Sequence, residues 1–119
     1  MRNNKELFNN WGNDNTVGTV FLVDTKEKAE KLYQLTGMCS IVVSGMEDIS
    51  LLRDTLPAMA EKHGVKKILV AYDMVDEETS EEREVKTAIQ SSIVKYMRCR
   101  WNPQYKSIVD YYSAKQLVA

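Results

Sequence analysis

Two short runs, "CSIVV" at residues 39–43 and "KILVAY" at 67–72, are apolar almost throughout, and each lies between segments of helical periodicity. This constrains the fold more than any other feature. A strand wetted on one face alternates apolar and polar residues, whereas a run apolar on both faces needs cover above and below. "TVFLV" at 19–23 and "YMRCRW" at 96–101 carry the same β-branched and aromatic bias, so four strands are predicted. The last one alternates, which suits an edge strand with Arg98 and Arg100 on one face.

The intervening segments read as helices. In the first, Ala29, Leu32, Tyr33 and Thr36 share a face, Asp24 or Thr25 can cap the start, and Gly37 can end it. In the second, Leu56, Met59 and Ala60 face inward and Gly64 stops the helix. Its Pro57 is tolerable if Asp54 is the cap, because a proline in the first turn has no intrahelical N–H bond to lose. In the third, Val85, Ala88, Ile89 and Ile93 form a stripe, and Thr79 with Glu82 makes a capping box. "SIVDYYSAKQLV" supplies a last helix.

The order βαβαβαβα predicts an α/β fold. It is a three-layer open parallel sheet of about four strands in order 2-1-3-4, with helices on both faces. The domain spans residues 17–119, and the asparagine-rich residues 1–16 form a flexible or partly helical lead-in anchored by Leu7, Phe8 and Trp11. In such sheets the working site lies beyond the carboxyl ends of the strands, where the strand order switches. Asp24 ends the first strand and Asp73 the third, so the 2-1-3-4 order brings the two carboxylates together.

At 119 residues, 44% hydrophobic and 28% charged, the chain fits one globular domain. It has no apolar run long enough to cross a bilayer, and "MRNNKELFNNWGNDN" has no signal-peptide core, so a cytoplasmic protein is expected. With His63 as the single histidine, Cys39 and Cys99 read as buried thiols and not as zinc ligands. His63 itself reads as a helix-terminal cation. Residues 73–84 carry seven acids against Arg83 alone, while residues 85–119 carry six basic residues against Asp110 alone.

A hard divalent ion takes oxygen ligands, and two or three strand-end carboxylates can hold one. Asp24, Asp73 and Asp76 are the candidate ligands, and Asp24 has helix capping as its plainer role. The chain lacks a phosphate-loop or dinucleotide glycine motif, and no serine sits in a nucleophile elbow. In "WNPQYKSIVDYY", Lys106 stands just before the last helix, where a phosphate could meet both an ammonium and the helix N-terminus. Trp101, Tyr105, Tyr111 and Tyr112 are expected to pack that helix onto the sheet.

"ILVAYDM" followed by a capped helix, then "RCRWNPQYKSIVDYY", resembles the Toprim-like domains of uncharacterised bacterial plasmid and mobile-element proteins, which are related to the Toprim domain of bacterial primases. The resemblance covers residues 18–117 and is most specific at 68–112. It implies a glutamate after the first strand for acid–base work in nucleotidyl or phosphodiester transfer, and paired aspartates after the third strand holding magnesium. Asp24 stands at the glutamate position, Asp73 at the first aspartate and Val75 at the second. In the closing motif Lys106 and Asp110 match, Ser107 replaces a glycine and Val109 an acid. Aspartate is a methylene shorter than glutamate and reaches about 1.5 Å less far. A misplacement of about 1 Å can cost a hundredfold in rate. Valine ligates nothing, so magnesium is expected to be held weakly or lost.

The leading expectation is therefore a degenerate Toprim-like domain in a DNA-replication or mobile-element context. It would contact nucleic acid or a replication protein through Arg98, Arg100 and Lys106. An active magnesium-dependent transfer domain with Asp24 and Asp73 as catalytic residues and Asp76 as a further ligand is the alternative. A receiver-like signalling module ranks third, because "VDTKEK" supplies one acid where that fold uses a pair.

Overall fold

The computed structural model describes residues 7–9, 18–73, 79–102 and 104–118. In chain order the elements are β1 (Phe8–Asn9), β2 (Thr19–Val23), α1 (Lys26–Thr36), β3 (Ser40–Val42), α2 (Met46–His63), β4 (Lys67–Val70), α3 (Ser80–Gln90), β5 (Lys95–Arg98) and α4 (Ile108–Val118). Strands β3-β2-β4-β5 are parallel neighbours, which is the expected 2-1-3-4 order counted from Thr19. β1 adds an antiparallel edge, with Phe8 opposite Ile41 and Asn9 opposite Ser40. The sequence assigned this stretch to a lead-in, because two residues show no period. Leu7 is nonetheless fully buried and Phe8 nearly so.

β2 explains the three layers. Val20 and Leu22 join a cluster with Ile49, Leu52, Leu56, Val85 and Ile89, so α2 and α3 cover one face. Phe21 and Val23 join Ala29, Leu32, Trp101 and Ile108, so α1 and α4 cover the other. Alternate residues of a strand point to opposite faces, and both faces of β2 are dry.

Helix ends follow local chemistry. α1 starts at Thr25, whose hydroxyl accepts from the Lys28 N–H at 3.2 Å. It ends at Gly37 in the left-handed region (φ 76°), a conformation cheap only for glycine. Asp24 is therefore not the cap. α2 begins at Met46, far upstream of Asp54, and Pro57 lies in its interior. Extending the helix back buries Ile49 and Leu52, about 1.5–3 kcal/mol each. That outweighs the roughly 3 kcal/mol an interior proline costs. The upstream turn is held by the Asp48 carboxylate, which accepts from the Ser44 N–H at 2.8 Å.

α3 stops at Gln90, so Ile93 leaves the predicted stripe and stands 95% exposed, while Val94 takes the buried place. Ser92 turns the chain there, its N–H and hydroxyl both donating to the Ile89 carbonyl. Only half of the capping box forms: Thr79 Oγ1 accepts from the Glu82 N–H, but the Glu82 carboxylate goes to Arg98. β5 is an edge strand as expected, and it ends at Arg98. Among the described residues no helix is long and apolar enough to cross a membrane.

Candidate functional site

β2 and β4 are hydrogen-bonded neighbours with Leu22 opposite Val70. The chain leaves both strands at the same edge of the sheet, and Asp24 and Asp73 meet there. Between them stands Lys28. Its Nζ donates to Asp24 Oδ1 at 2.9 Å and to Asp73 Oδ1 at 2.9 Å. The Lys28 side chain is 19% exposed, against 40% for Asp24 and 33% for Asp73.

A cation in the first turn of a helix opposes the helix dipole, a cost of about 0.3–1 kcal/mol. The two carboxylates hold it there regardless. Burial works against the Lys28 charge, but the hydrogen bonds and negative charges of Asp24 and Asp73 outweigh it, and the ammonium pKa lies above its usual 10.5. The four-residue spacing from Asp24 to Lys28 is a pairing signal readable in sequence. The Asp73 contact spans 45 residues and has no such signal.

Around this bridge lies an open cleft of about 330 Å³ lined by Asp24, Ser44, Tyr72, Asp73, Thr79, Glu81 and Glu82. The Ser44 hydroxyl donates to the Asp24 carbonyl at 3.0 Å and ties the β3 and β2 ends together. The Tyr72 hydroxyl is buried with no hydrogen-bond partner among the described residues. Burial first, then the charges of Glu81, Asp24 and Glu82, push its pKa far up against the opposing pull of Arg98.

The described residues alone do not supply the ligand set of a six-coordinate divalent ion. Two carboxylates share an ammonium, Asp76 and Val75 lie outside the described residues, and among those described no group of three acids, histidines or cysteines is placed to hold a metal.

The three expected phosphate-binding residues differ in exposure. Arg98 turns inward with its side chain 11% exposed, and all five of its N–H donors are engaged. Nε donates to Glu82 Oε1 at 3.0 Å; one terminal nitrogen donates to the Val70 and Cys99 carbonyls, the other to those of Tyr72 and Asp73. Its guanidinium also lies 5.9 Å from the Trp101 ring. Sequence alternation placed Arg98 and Arg100 together, but β5 ends between them and Arg100 is exposed. Lys106 is exposed too, before α4, where Ser107 Oγ already accepts from the Asp110 N–H at 3.3 Å.

The aromatic residues pack as expected. Trp101 is buried and donates to the Tyr105 carbonyl, and Tyr112 meets Phe21 edge-on at 6.2 Å. Of the two thiols Cys39 is buried and Cys99 half-buried; burial pushes the Cys99 pKa up, with Arg98 opposing.

Comparison with family models, with characterised proteins and with solved structures finds no match to this chain.

Proposed function

We propose that the chain is a degenerate Toprim-like domain that binds nucleic acid or a protein partner in a DNA-replication or mobile-element setting in the cytoplasm, without full catalytic competence. The setting rests on the resemblance at residues 68–112. One observation carries the loss of competence: the Lys28 ammonium lies 2.9 Å from a carboxylate oxygen of both Asp24 and Asp73. It supplies the positive charge that two converging carboxylates need. A divalent ion at the same place would have to displace a tethered cation already in contact with both.

Thermal unfolding with and without magnesium or manganese tests this reading. The wild type is expected to show no metal-dependent rise in Tm, and a gain is expected in Val75→Asp and in Lys28→Gln. A bound ion at a hundredfold excess over its Kd stabilises by about 2.7 kcal/mol. Stabilisation of the wild type that disappears in Asp73→Ala would instead favour the active magnesium-dependent enzyme.

A further inference from the structure

Charge is sorted along the strand direction. The carboxyl edge of the sheet holds Asp24, Asp73, Glu81 and Glu82. The opposite edge gathers lysines. Lys67 and Lys95 begin neighbouring parallel strands and are register partners. The Lys95 N–H donates to the Lys66 carbonyl at 2.9 Å, and Lys62 lies in the last turn of α2, just before that loop. Lys62, Lys66 and Lys95 are exposed and Lys67 is half-buried. Four of the other basic residues are matched: Lys26 with Glu30, Lys28 with two aspartates, Arg53 with Glu84 and Arg98 with Glu82. Among the described residues none of these four edge lysines makes an ion pair, and Glu61 is the acid that shares their turn.

We infer that this amino edge of the sheet, formed by Lys62, Lys66, Lys67 and Lys95, is a binding surface for the phosphate backbone of nucleic acid. Four lysines gathered at one edge, with no ion pair among the described residues, repel one another and hold counter-ions, and a polyanion replaces those ions with its own phosphates. The carboxyl edge cannot serve, because its cleft is acidic and its arginine is consumed internally. An anionic bilayer fits less well, since Ile93 is the one large apolar side chain exposed there among the described residues and surface anchoring needs more buried apolar area. The inference rests on the nucleic-acid half of the proposed function and moves its contact surface away from Arg98, Arg100 and Lys106.

The test is fluorescence anisotropy with labelled single-stranded and duplex DNA of about 20 nucleotides, between about 50 and about 200 mM salt. For four phosphate contacts, log K is expected to fall against log salt with a slope of about −3 to −4. Lys66→Glu with Lys95→Glu should weaken binding at least about tenfold and shorten the slope by about 2. Arg100→Glu with Lys106→Glu should change it less than about twofold. Circular dichroism checks that each variant is folded, and Lys62→Glu with Lys66→Glu stands in for a variant that is not.

Binding lost only in the Arg100/Lys106 pair would overturn the surface while keeping the nucleic-acid reading. A wild type that ignores both DNAs ends both. Equal capture by phosphatidylserine vesicles in co-sedimentation would assign the edge to membranes instead.

Discussion

Arg98 shows how the charge of a single residue is legible in the sequence while the partners of its hydrogen bonds are not. A guanidinium on an exposed edge strand suits a phosphate, but this one is planar, 11% exposed and met by one carboxylate and four carbonyls. It joins the start of α3 through Glu82 to the carboxyl ends of β4 and β5. It also holds the backbone of Tyr72 and Asp73 in place, so it positions the candidate site without entering it. Breaking a buried pair by removing one partner costs about 3–5 kcal/mol, because the other charge is left without compensation. Arg98→Met is therefore expected to lower Tm by more than about 10 °C. Arg100→Met should stay within about 0.5 kcal/mol of wild type. Urea or thermal unfolding of the two variants checks this. Equal stabilities would mean that the Arg98 network contributes little.

At the scale of elements, α2 carries the largest departure from local preference. Pro57 sits in its interior, exposed, where it removes one backbone bond. The helix persists because its buried stripe of Ile49, Leu52, Leu56 and Ala60 runs through both halves. Pro57→Ala should therefore raise stability by about 2 kcal/mol: roughly 3 kcal/mol of helix propensity, less the stiffening that proline gives the unfolded chain. The urea midpoint measures it, and an unchanged or lowered midpoint would show that the helix is already adapted to the proline. The end of α3 teaches the complementary lesson. A stripe of period 3.6 ran on to Ile93, yet Ser91 and Ser92 bond back to the Ala88 and Ile89 carbonyls and stop the helix first.

For the whole molecule, the parallel topology collects the starts of β2, β3, β4 and β5 on one edge and their ends on the other. Charges distant in sequence are thereby sorted into an acidic cleft and a lysine edge. The same arrangement sets the response to alkali. Lys28, Tyr72 and Cys99 have pKa values raised above 10.5, 10.0 and 9.0. In each case the native state binds protons more tightly than the unfolded chain. Their contribution is fully present below the unfolded values and is lost as pH rises through the folded ones. Stability is therefore expected to decline as pH climbs past 9.0 and then more steeply past 10.0. Tyr72→Phe should flatten that decline, and at neutral pH it should be no less stable, since it removes a buried hydroxyl that has no partner among the described residues. Denaturant melts across the alkaline range decide it. A Tyr72→Phe profile parallel to wild type would count against the assignment.

Hydrophobic period and helix-capping chemistry are local properties, and they carried the four parallel strands, the four helices and the meeting of Asp24 with Asp73. They could not say that a lysine lies between those aspartates, that Arg98 turns inward, or that Phe8 pairs with Ile41, because each of these depends on residues remote in the chain. An apolar stripe reports which face must be dry. Which charged group reaches a given carboxylate is decided only once the sheet order has set its neighbours, and in this protein that order set the Lys28 ammonium between Asp24 and Asp73.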